Sequence, residues 1–161
     1  MAHGDLDDMA ALLGDPKVMR YYPRPKTREE ALGWIEWNLG LYRARGFGLW
    51  IVSLRETGEF VGDCGLTVQE VEGTNEIEVG YHVRPAFQGR GYATEAGAAS
   101  RDHAREVLGC SRLIAIIDPA NVPSQRVAEE DRAHVRAGRD PETLIPEDGT
   151  HLHDVALKPT P

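Results

Sequence analysis

The chain has 161 residues, 41% of them hydrophobic, and a formal net charge of −8 at pH 7. Its length suits a single domain spanning residues 1–161, which would bury roughly two-thirds of the surface of the unfolded chain. The acidic balance argues against nucleic acid as a partner, because neutralising phosphates needs a basic patch. It suits cationic amine substrates better. No apolar run reaches the length of about 18 residues that a membrane span needs, so we expect no membrane partner.

Cysteine and histidine usage narrows the chemistry. The two cysteines, Cys64 and Cys110, are preceded by no secretory signal, so we expect reduced, buried thiols in a cytoplasmic protein. His151 and His153 alternate on a predicted late strand without a third ligand near them in the sequence. No cysteine and histidine cluster has metal-ligand spacing, so we predict no metal site.

Two helices are predicted before the first strand. Asp5 or Asp7 can cap a short helix that ends at residues 14–16, Gly-Asp-Pro. Thr27 and Glu30 have the spacing of a capping box, and Gly46 is placed to end the helix that follows. The apolar residues of that second helix recur on one face: Leu32, Ile35, Leu39 and Tyr42.

Strands follow these helices. Residues 49–52 and 60–68 are predicted to form a hairpin, and a turn near residues 73–75 leads into a central strand. In that strand Ile77, Val79, Tyr81 and Val83 alternate with Glu76, Glu78, Gly80 and His82, which is the two-residue period of a strand with one apolar face. After a helix with a small-residue face, the apolar run 113–117 predicts a buried strand parallel to the central one.

The loop between the central strand and its helix, Gln88-Gly89-Arg90-Gly91-Tyr92-Ala93, predicts a phosphate site. Such a loop directs several N–H groups and the positive end of the helix dipole to one point. A nucleotide P-loop would need Lys-Ser/Thr where Tyr92-Ala93 stands, so that interpretation fails. A dinucleotide-binding loop fits Gly89 and Gly91, but Thr94 occupies the third glycine position. That alternative stays open.

A third interpretation rests on a resemblance. The pattern Gln88-x-x-Gly91-x-Ala93, preceded by Glu78-Val79-Gly80-Tyr81 and followed by Ala93-Thr94-Glu95-Ala96, resembles the acetyl-CoA motif of the GNAT superfamily of N-acetyltransferases. The similarity extends from about Asp7 to about Glu129 and includes Asn121-x-x-Ser124. The branch that it resembles most acetylates the N-terminal alanine or serine of ribosomal proteins.

The resemblance implies a fold and a cosubstrate. The fold is mixed α/β, with a mostly antiparallel central sheet, one parallel strand pair that splays apart, and helices on both faces. The pantetheine arm of acetyl-CoA would lie in the gap between Val83 and residues 116–117, where a backbone N–H near Val83 polarises the thioester. The residues implied to bind the cosubstrate are Val83, Gln88, Gly89, Arg90, Gly91, Tyr92, Ala93, Asn121 and Ser124.

Three residues are candidates for the proton transfers of a reaction in which a primary amine attacks the acetyl group directly. Glu78 and His82 share a face of the central strand, within reach of the amine through one or two waters. Ser124 stands where the resembled branch has a serine assigned as the acid, and no tyrosine follows Tyr92. Two alternatives stay open: Glu78 as a structural carboxylate, and Ser124 as a helix cap or CoA contact.

The acceptor and the assembly are less constrained by sequence. The amine can belong to a small molecule or a peptide N-terminus, and Tyr21, Tyr22 and Trp34 are candidate substrate contacts or packing residues. The family's usual first strand has no room before the first helix, so we expect an exposed edge at residues 49–54, which a homodimer would cover.

Residues 130–134 replace the usual Leu-Gly-Phe, and we predict the final strand at 151–157. A second hypothesis is an acyl-CoA-binding or regulatory module without transfer activity.

Overall fold

A computed structural model describes residues 1–130 and 134–137. Its helices are α1 (Leu6–Leu13), α2 (Arg28–Arg45), α3 (Tyr92–Glu106) and α4 (Val122–Glu130). The strands are β1 (Leu49–Ser53), β2 (Phe60–Val71), β3 (Thr74–Val83), β4 (Ile114–Ile117) and β5 (His134–Ala137). Together the strands form one sheet in the order β1-β2-β3-β4-β5.

The sheet is mixed, as predicted. β1, β2 and β3 pair antiparallel, whereas β4 is parallel to both β3 and β5. The ladder between β3 and β4 contains a single pair, Glu78 with Ile114. The ladder between β2 and β3 is much longer and runs from the pair Gly62 with Val83 to the hairpin turn. Beyond Glu78, therefore, β3 and β4 separate, and the predicted splayed pair is confirmed.

Helices cover both faces of the sheet, which confirms the predicted layers. Under α3 and α4 the core consists of Phe47, Leu66, Val79, Ala104, Leu113, Ala115, Ile117 and Ala128. A separate cluster joins α1 and α2 to the sheet and consists of Met9, Leu12, Leu13, Met19, Ala31, Ile35 and Phe60. Because side chains alternate along a strand, Val79 enters the first core while Glu78 and His82 face the α2 side.

Local signals in the sequence account for the ends of α2. The Thr27 side chain accepts a hydrogen bond from the Glu30 N–H, and the Glu30 carboxylate accepts one from the Thr27 N–H. This reciprocal capping box satisfies N–H groups that the first turn leaves unpaired. Gly46 ends the helix at φ 78°, a left-handed conformation that glycine adopts without steric cost. The capping box and the terminal glycine are thus confirmed.

Some predictions outside the site are wrong or lie beyond the described residues. The sequence also predicts Val107 on the inward face of the helix after the loop, but Val107 is 67% exposed because α3 ends at Glu106. The Cys64 thiol is buried, but Cys110 is only half-buried, at the turn after α3. β5 was not predicted, and the strand predicted at 151–157 lies outside the described residues. None of the helices in the described part of the chain has the length and hydrophobicity that crossing a bilayer requires.

Candidate active site

A cleft of about 1150 Å³ opens where β3 and β4 separate. It is continuous from the α2 side of the sheet to the loop before α3. Most of the sequence-predicted site residues line it: Glu78, His82, Val83, Gln88, Gly89, Gly91, Tyr92, Ala93, Asn121 and Ser124. The structure therefore brings together residues from β3, the loop and α4. Arg90 is not among the lining residues.

The loop before α3 is held open by two glycines. Gly89 and Gly91 have φ values of 70° and 85°, in the left-handed region where a side chain is strained. Gly91 is the N-cap of α3 and supplies no side-chain cap, so the N–H groups of the first turn are directed at the cleft. Such a set of N–H groups, together with the positive end of a helix dipole, has the chemistry to hold a phosphate.

Side chains around the loop fix its shape. The Gln88 amide donates to the Val83 carbonyl at 2.9 Å, which ties the loop to the end of β3. The buried ring of Phe87 packs edge-on against Tyr92, with ring centroids 5.9 Å apart. Arg90 lies over both rings, 5.7 and 5.4 Å from their centroids. The Arg90 guanidinium therefore stacks on the outside of the loop instead of entering the cleft.

The end of β3 presents one backbone donor to the gap. The N–H of His82 donates to an Asp63 carboxylate oxygen, and the N–H of Arg84 donates to the Val61 carbonyl, so both point toward β2. Successive N–H groups of a strand point to opposite sides. The N–H of Val83 consequently points away from β2, into the gap between β3 and β4.

Asn121 and Ser124 meet the cleft at the first turn of α4. The Asn121 side-chain oxygen accepts from the Ser124 N–H at 3.3 Å, so Asn121, not Ser124, caps the helix. The carbonyl of Ser124 accepts from the Tyr81 hydroxyl at 2.7 Å, which ties α4 to β3. Capping uses only the oxygen of Asn121, so its amide nitrogen can still donate to a ligand.

Glu78 lies at the point where the strands part. One carboxylate oxygen accepts from Thr67 at 2.8 Å and from Gln69 at 2.9 Å, and the other is 3.4 Å from the Ile116 N–H across the gap. Burial raises the pKa of the Glu78 carboxyl, and these hydrogen bonds oppose that shift only in part. The group is thus both bound to neighbouring strands and poised to accept a proton, so the geometry is compatible with either role.

His82 belongs to a buried chain of polar groups that the sequence analysis missed in part. Its Nδ1 lies 2.8 Å from an Asp63 oxygen, and its Nε2 lies 2.8 Å from the Tyr22 hydroxyl. The other Asp63 oxygen accepts from the Trp34 indole N–H at 3.3 Å. Asp63 has 0% exposure and His82 7%. Asp63 also acts on Tyr42 of α2. Burial, and after it the negative charge of Asp63, raises the pKa of the Tyr42 hydroxyl to about 12.

A signal for Asp63 does exist in the sequence. It interrupts the otherwise apolar run 60–66 of a predicted strand, and a buried carboxylate needs hydrogen-bonding partners. Its partners, however, are Trp34 on α2 and His82 on β3. Nothing in the local spacing identifies which residues they are.

The α2 side of the cleft is aromatic and carries positive charge. Tyr21, Tyr22, Trp34 and Trp37 all line it. Trp34 and Trp37 pack with ring centroids 5.1 Å apart, and the Lys26 ammonium lies 5.3 Å from the Trp34 ring centroid. The predicted substrate contacts Tyr21, Tyr22 and Trp34 are therefore in the cleft wall. Among the described residues no group of three or more acidic, cysteine or histidine side chains is arranged to hold a metal ion.

Residues 1–130 match the family described as Acetyltransferase (GNAT) domain. The chain therefore belongs to the GNAT acetyltransferases and is an acetyl-CoA-dependent acyltransferase by family. A relative in Bacillus subtilis, the uncharacterized protein YkkB, is 37% identical over 131 residues, which cover 79% of this chain and 76% of the relative.

Solved structures show the same fold. An acetyltransferase from Agrobacterium tumefaciens superposes with a TM-score of 0.72 at 28% identity, covering 81% of this chain and 75% of the other. A ribosomal-protein-S5-alanine acetyltransferase from Vibrio fischeri superposes with a TM-score of 0.64 at 17% identity, and the match covers 80% of this chain and 74% of the Vibrio chain. The latter likeness concerns the fold alone.

Proposed function

We propose that the protein transfers the acetyl group of acetyl-CoA directly to a primary amine, and that the preferred amine is the α-amine of a peptide or protein N-terminus. The observation that carries the proposal is the single cleft that joins the helix N-terminus of α3, the gap between β3 and β4, and the polar face of β3. A phosphate site, a thioester site and a proton acceptor would then lie along one path.

The donor half of the proposed site is made by Val83, the loop from Gln88 to Ala93, and Asn121. The loop would hold the pyrophosphate of acetyl-CoA, and the Asn121 amide would donate to the pantetheine arm. The Val83 N–H, which points into the gap, would polarise the thioester carbonyl as negative charge develops on its oxygen. Arg90 would contribute through its backbone, because its side chain stacks on Phe87 and Tyr92.

The proposed proton transfers involve Glu78, His82 and Ser124. Glu78 would take the proton of the amine through water, and burial that raises the Glu78 pKa strengthens it as a base. Both ring nitrogens of His82 are already hydrogen-bonded, so its contribution as a base would be smaller. Ser124 would donate to the departing thiolate. A thiol of pKa about 8.5 leaves without full protonation, so this last contribution is expected to be small.

Acceptor choice follows from the demand on the base. An α-amine of pKa about 8 is partly neutral near pH 7, whereas a lysine side chain at about 10.4 is almost fully charged. A carboxylate that accepts the proton through water is therefore a sufficient base for an α-amine and a poor one for a lysine side chain. The aromatic wall of the cleft, with Trp34 and Trp37, can hold the first side chains of a peptide.

Assembly and location are part of the same proposal. We take residues 1–161 as one acetyltransferase domain that acts in the cytoplasm, where reduced thiols such as Cys64 persist. In the described part of the sheet, β1 pairs only with β2. A homodimer that covers this edge is expected, and light scattering at micromolar concentration that finds a monomer would contradict it.

The proposed function is tested by thiol release from acetyl-CoA with a panel of amines. Peptides with N-terminal alanine or serine should give the highest kcat/KM, above free amino acids, a polyamine and an aminoglycoside. A peptide with an acetylated N-terminus and a free lysine serves as the matched control. Binding of acetyl-CoA without release of thiol with any amine would favour an acyl-CoA-binding module instead.

A further inference from the structure

The buried chain Asp63, His82 and Tyr22 determines which way a hydroxyl in the cleft points. Asp63 accepts from the His82 backbone N–H at 3.1 Å and from the Trp34 indole at 3.3 Å, in addition to its contact with the His82 ring. A carboxylate has only acceptor atoms. The His82 Nδ1, 2.8 Å from the same carboxylate, must therefore carry a hydrogen.

The second ring nitrogen of His82 follows from the first. In a neutral imidazole with its hydrogen on Nδ1, Nε2 has only a lone pair and can act only as an acceptor. The Tyr22 hydroxyl, 2.8 Å away, must then donate its hydrogen to Nε2. Tyr22 also lines the cleft. With its hydrogen directed at His82, its hydroxyl can offer a molecule in the cleft only an oxygen lone pair.

We infer that Tyr22 binds the acceptor amine by accepting a hydrogen bond from its N–H, and that His82 and Asp63 are positioning residues that fix the direction of the Tyr22 hydroxyl. The inference rests on the proposed function and names the group that recognises the substrate's nitrogen. Glu78 keeps the separate role of proton acceptor. No covalent bond is made or broken by Tyr22.

Protonation of His82 reverses this arrangement. With a hydrogen on both ring nitrogens, Nε2 donates to Tyr22, and the Tyr22 hydrogen is free to turn toward the cleft. A Tyr22 hydroxyl that points its hydrogen into the cleft is poorly oriented to accept a hydrogen bond from the N–H of an amine or ammonium group.

Other charged and titratable groups face this chain. Asp63 is on β2, and Tyr42 of α2 interacts electrostatically with it. Lys26 stacks on Trp34 of α2, and Glu78 on the same strand interacts electrostatically with His82. The tautomer of the His82 ring should therefore also be compared in a Glu78→Gln background, where this neighbouring carboxyl is absent.

The first experiment compares Tyr22→Phe with Tyr21→Phe. Both hydroxyls belong to cleft-lining tyrosines, but only Tyr22 is bonded to His82. Losing a hydrogen bond to an amine with ammonium character should raise the KM for the amine by roughly tenfold in Tyr22→Phe. The KM for acetyl-CoA should stay the same, and Tyr21→Phe should have a smaller effect. Equal effects of the two substitutions on the amine, or a rise only in the KM for acetyl-CoA, would overturn the inference.

A second measurement does not depend on turnover. Nitrogen NMR of the His82 ring should show the Nδ1–H tautomer at neutral pH, and Asp63→Asn should shift the ring toward Nε2–H. If Asp63→Asn does not fold, Trp34→Phe tests the same link, since it removes one donor to Asp63 and should alter the His82 signal. A wild-type ring in the Nε2–H form would overturn the inference whether or not the protein transfers acetyl groups. Absence of transfer with every amine would instead overturn the proposed function.

Discussion

The two halves of the cleft are built in different ways. The half proposed to bind the acetyl donor is mainly backbone: N–H groups at the start of α3, the Val83 N–H and two glycines in left-handed conformations, to which Asn121 adds one side-chain amide. The acceptor half is side chains: Asp63, His82, Tyr22 and Trp34, which come from β2, β3, the segment before α2 and α2. A site made of backbone depends on local conformation, whereas a site made of side chains depends on how distant segments pack.

This difference predicts how each half responds to change. The backbone half tolerates most substitutions but not those that block the approach of a ligand or alter a left-handed residue. Side chains in the other half can be altered one atom at a time, so their contributions should be graded. The acceptor specificity can therefore change without loss of the cosubstrate site, and variants should separate the two.

The largest effect is expected from Gly91→Glu. The substitution adds a negative charge and a strained side chain where the phosphates of acetyl-CoA would approach. Acetyl-CoA affinity, measured by calorimetry, should fall by about 100-fold or more, since charge repulsion and steric exclusion act together. Gly58→Glu is the matched control, because Gly58 has a similar φ of 72° in the β1–β2 turn. Unchanged affinity in a folded Gly91→Glu protein would remove the loop from the donor site.

A smaller loss is expected from Glu78→Gln, which keeps the shape of the side chain but removes the proton acceptor. We expect kcat/KM to fall by about 100-fold, a typical contribution of a general base. Burial raises the Glu78 pKa, so the base is active only above that raised value. Without it, the ascending limb of the pH profile should move upward toward the pKa of the amine itself.

Glu76→Gln is the control for this substitution. Glu76 lies on the same face of β3, but its carboxylate is 3.5 Å from Arg112, outside the cleft. If the Glu78→Gln profile keeps both its midpoint and its magnitude, Glu78 is a structural carboxylate and the amine arrives neutral.

Asn121→Ala should affect donor binding and stability together. The loss of one hydrogen bond to the pantetheine arm should raise the KM for acetyl-CoA by about tenfold, and loss of the cap of α4 should lower the free energy of unfolding by about 1 kcal/mol. Asn121→Ser keeps a capping oxygen and lacks the amide donor. It should therefore raise the KM with little loss of stability, as measured by denaturant unfolding. A KM equal to that of the wild type in both variants would exclude Asn121 from donor binding.

The smallest effect is expected from Ser124→Ala. Because the thiolate leaves readily, kcat should fall only about two- to fivefold, with the KM for acetyl-CoA nearly constant. Asn121 already caps the helix, so stability should hardly change. A kcat that does not move in Ser124→Ala would leave Ser124 as a contact of α4 with the cosubstrate at most.

The sequence reveals the donor half far better than the acceptor half. Gln88, Gly91 and Ala93 lie within six consecutive residues at the start of α3, so their spacing does not depend on how the rest of the chain packs. The capping box of Thr27 and Glu30 is local in the same sense. The contact between Tyr22 and His82 spans 60 residues of sequence and exists only because α2 packs on that face of the sheet. The two-residue period of the sequence predicts the correct face of β3 for His82, but it cannot identify the residues that His82 contacts.

The single pair between β3 and β4, Glu78 with Ile114, has a mechanical consequence. The sheet therefore has two parts, β1 to β3 and β4 to β5, which are joined by that one ladder pair. A cosubstrate that fills the gap between β3 and β4 would act as the missing strand and complete the sheet. Hydrogen exchange at the amides of Ile116 and Ile117 should therefore slow when CoA is added, and the thermal midpoint of the whole domain should rise with its concentration.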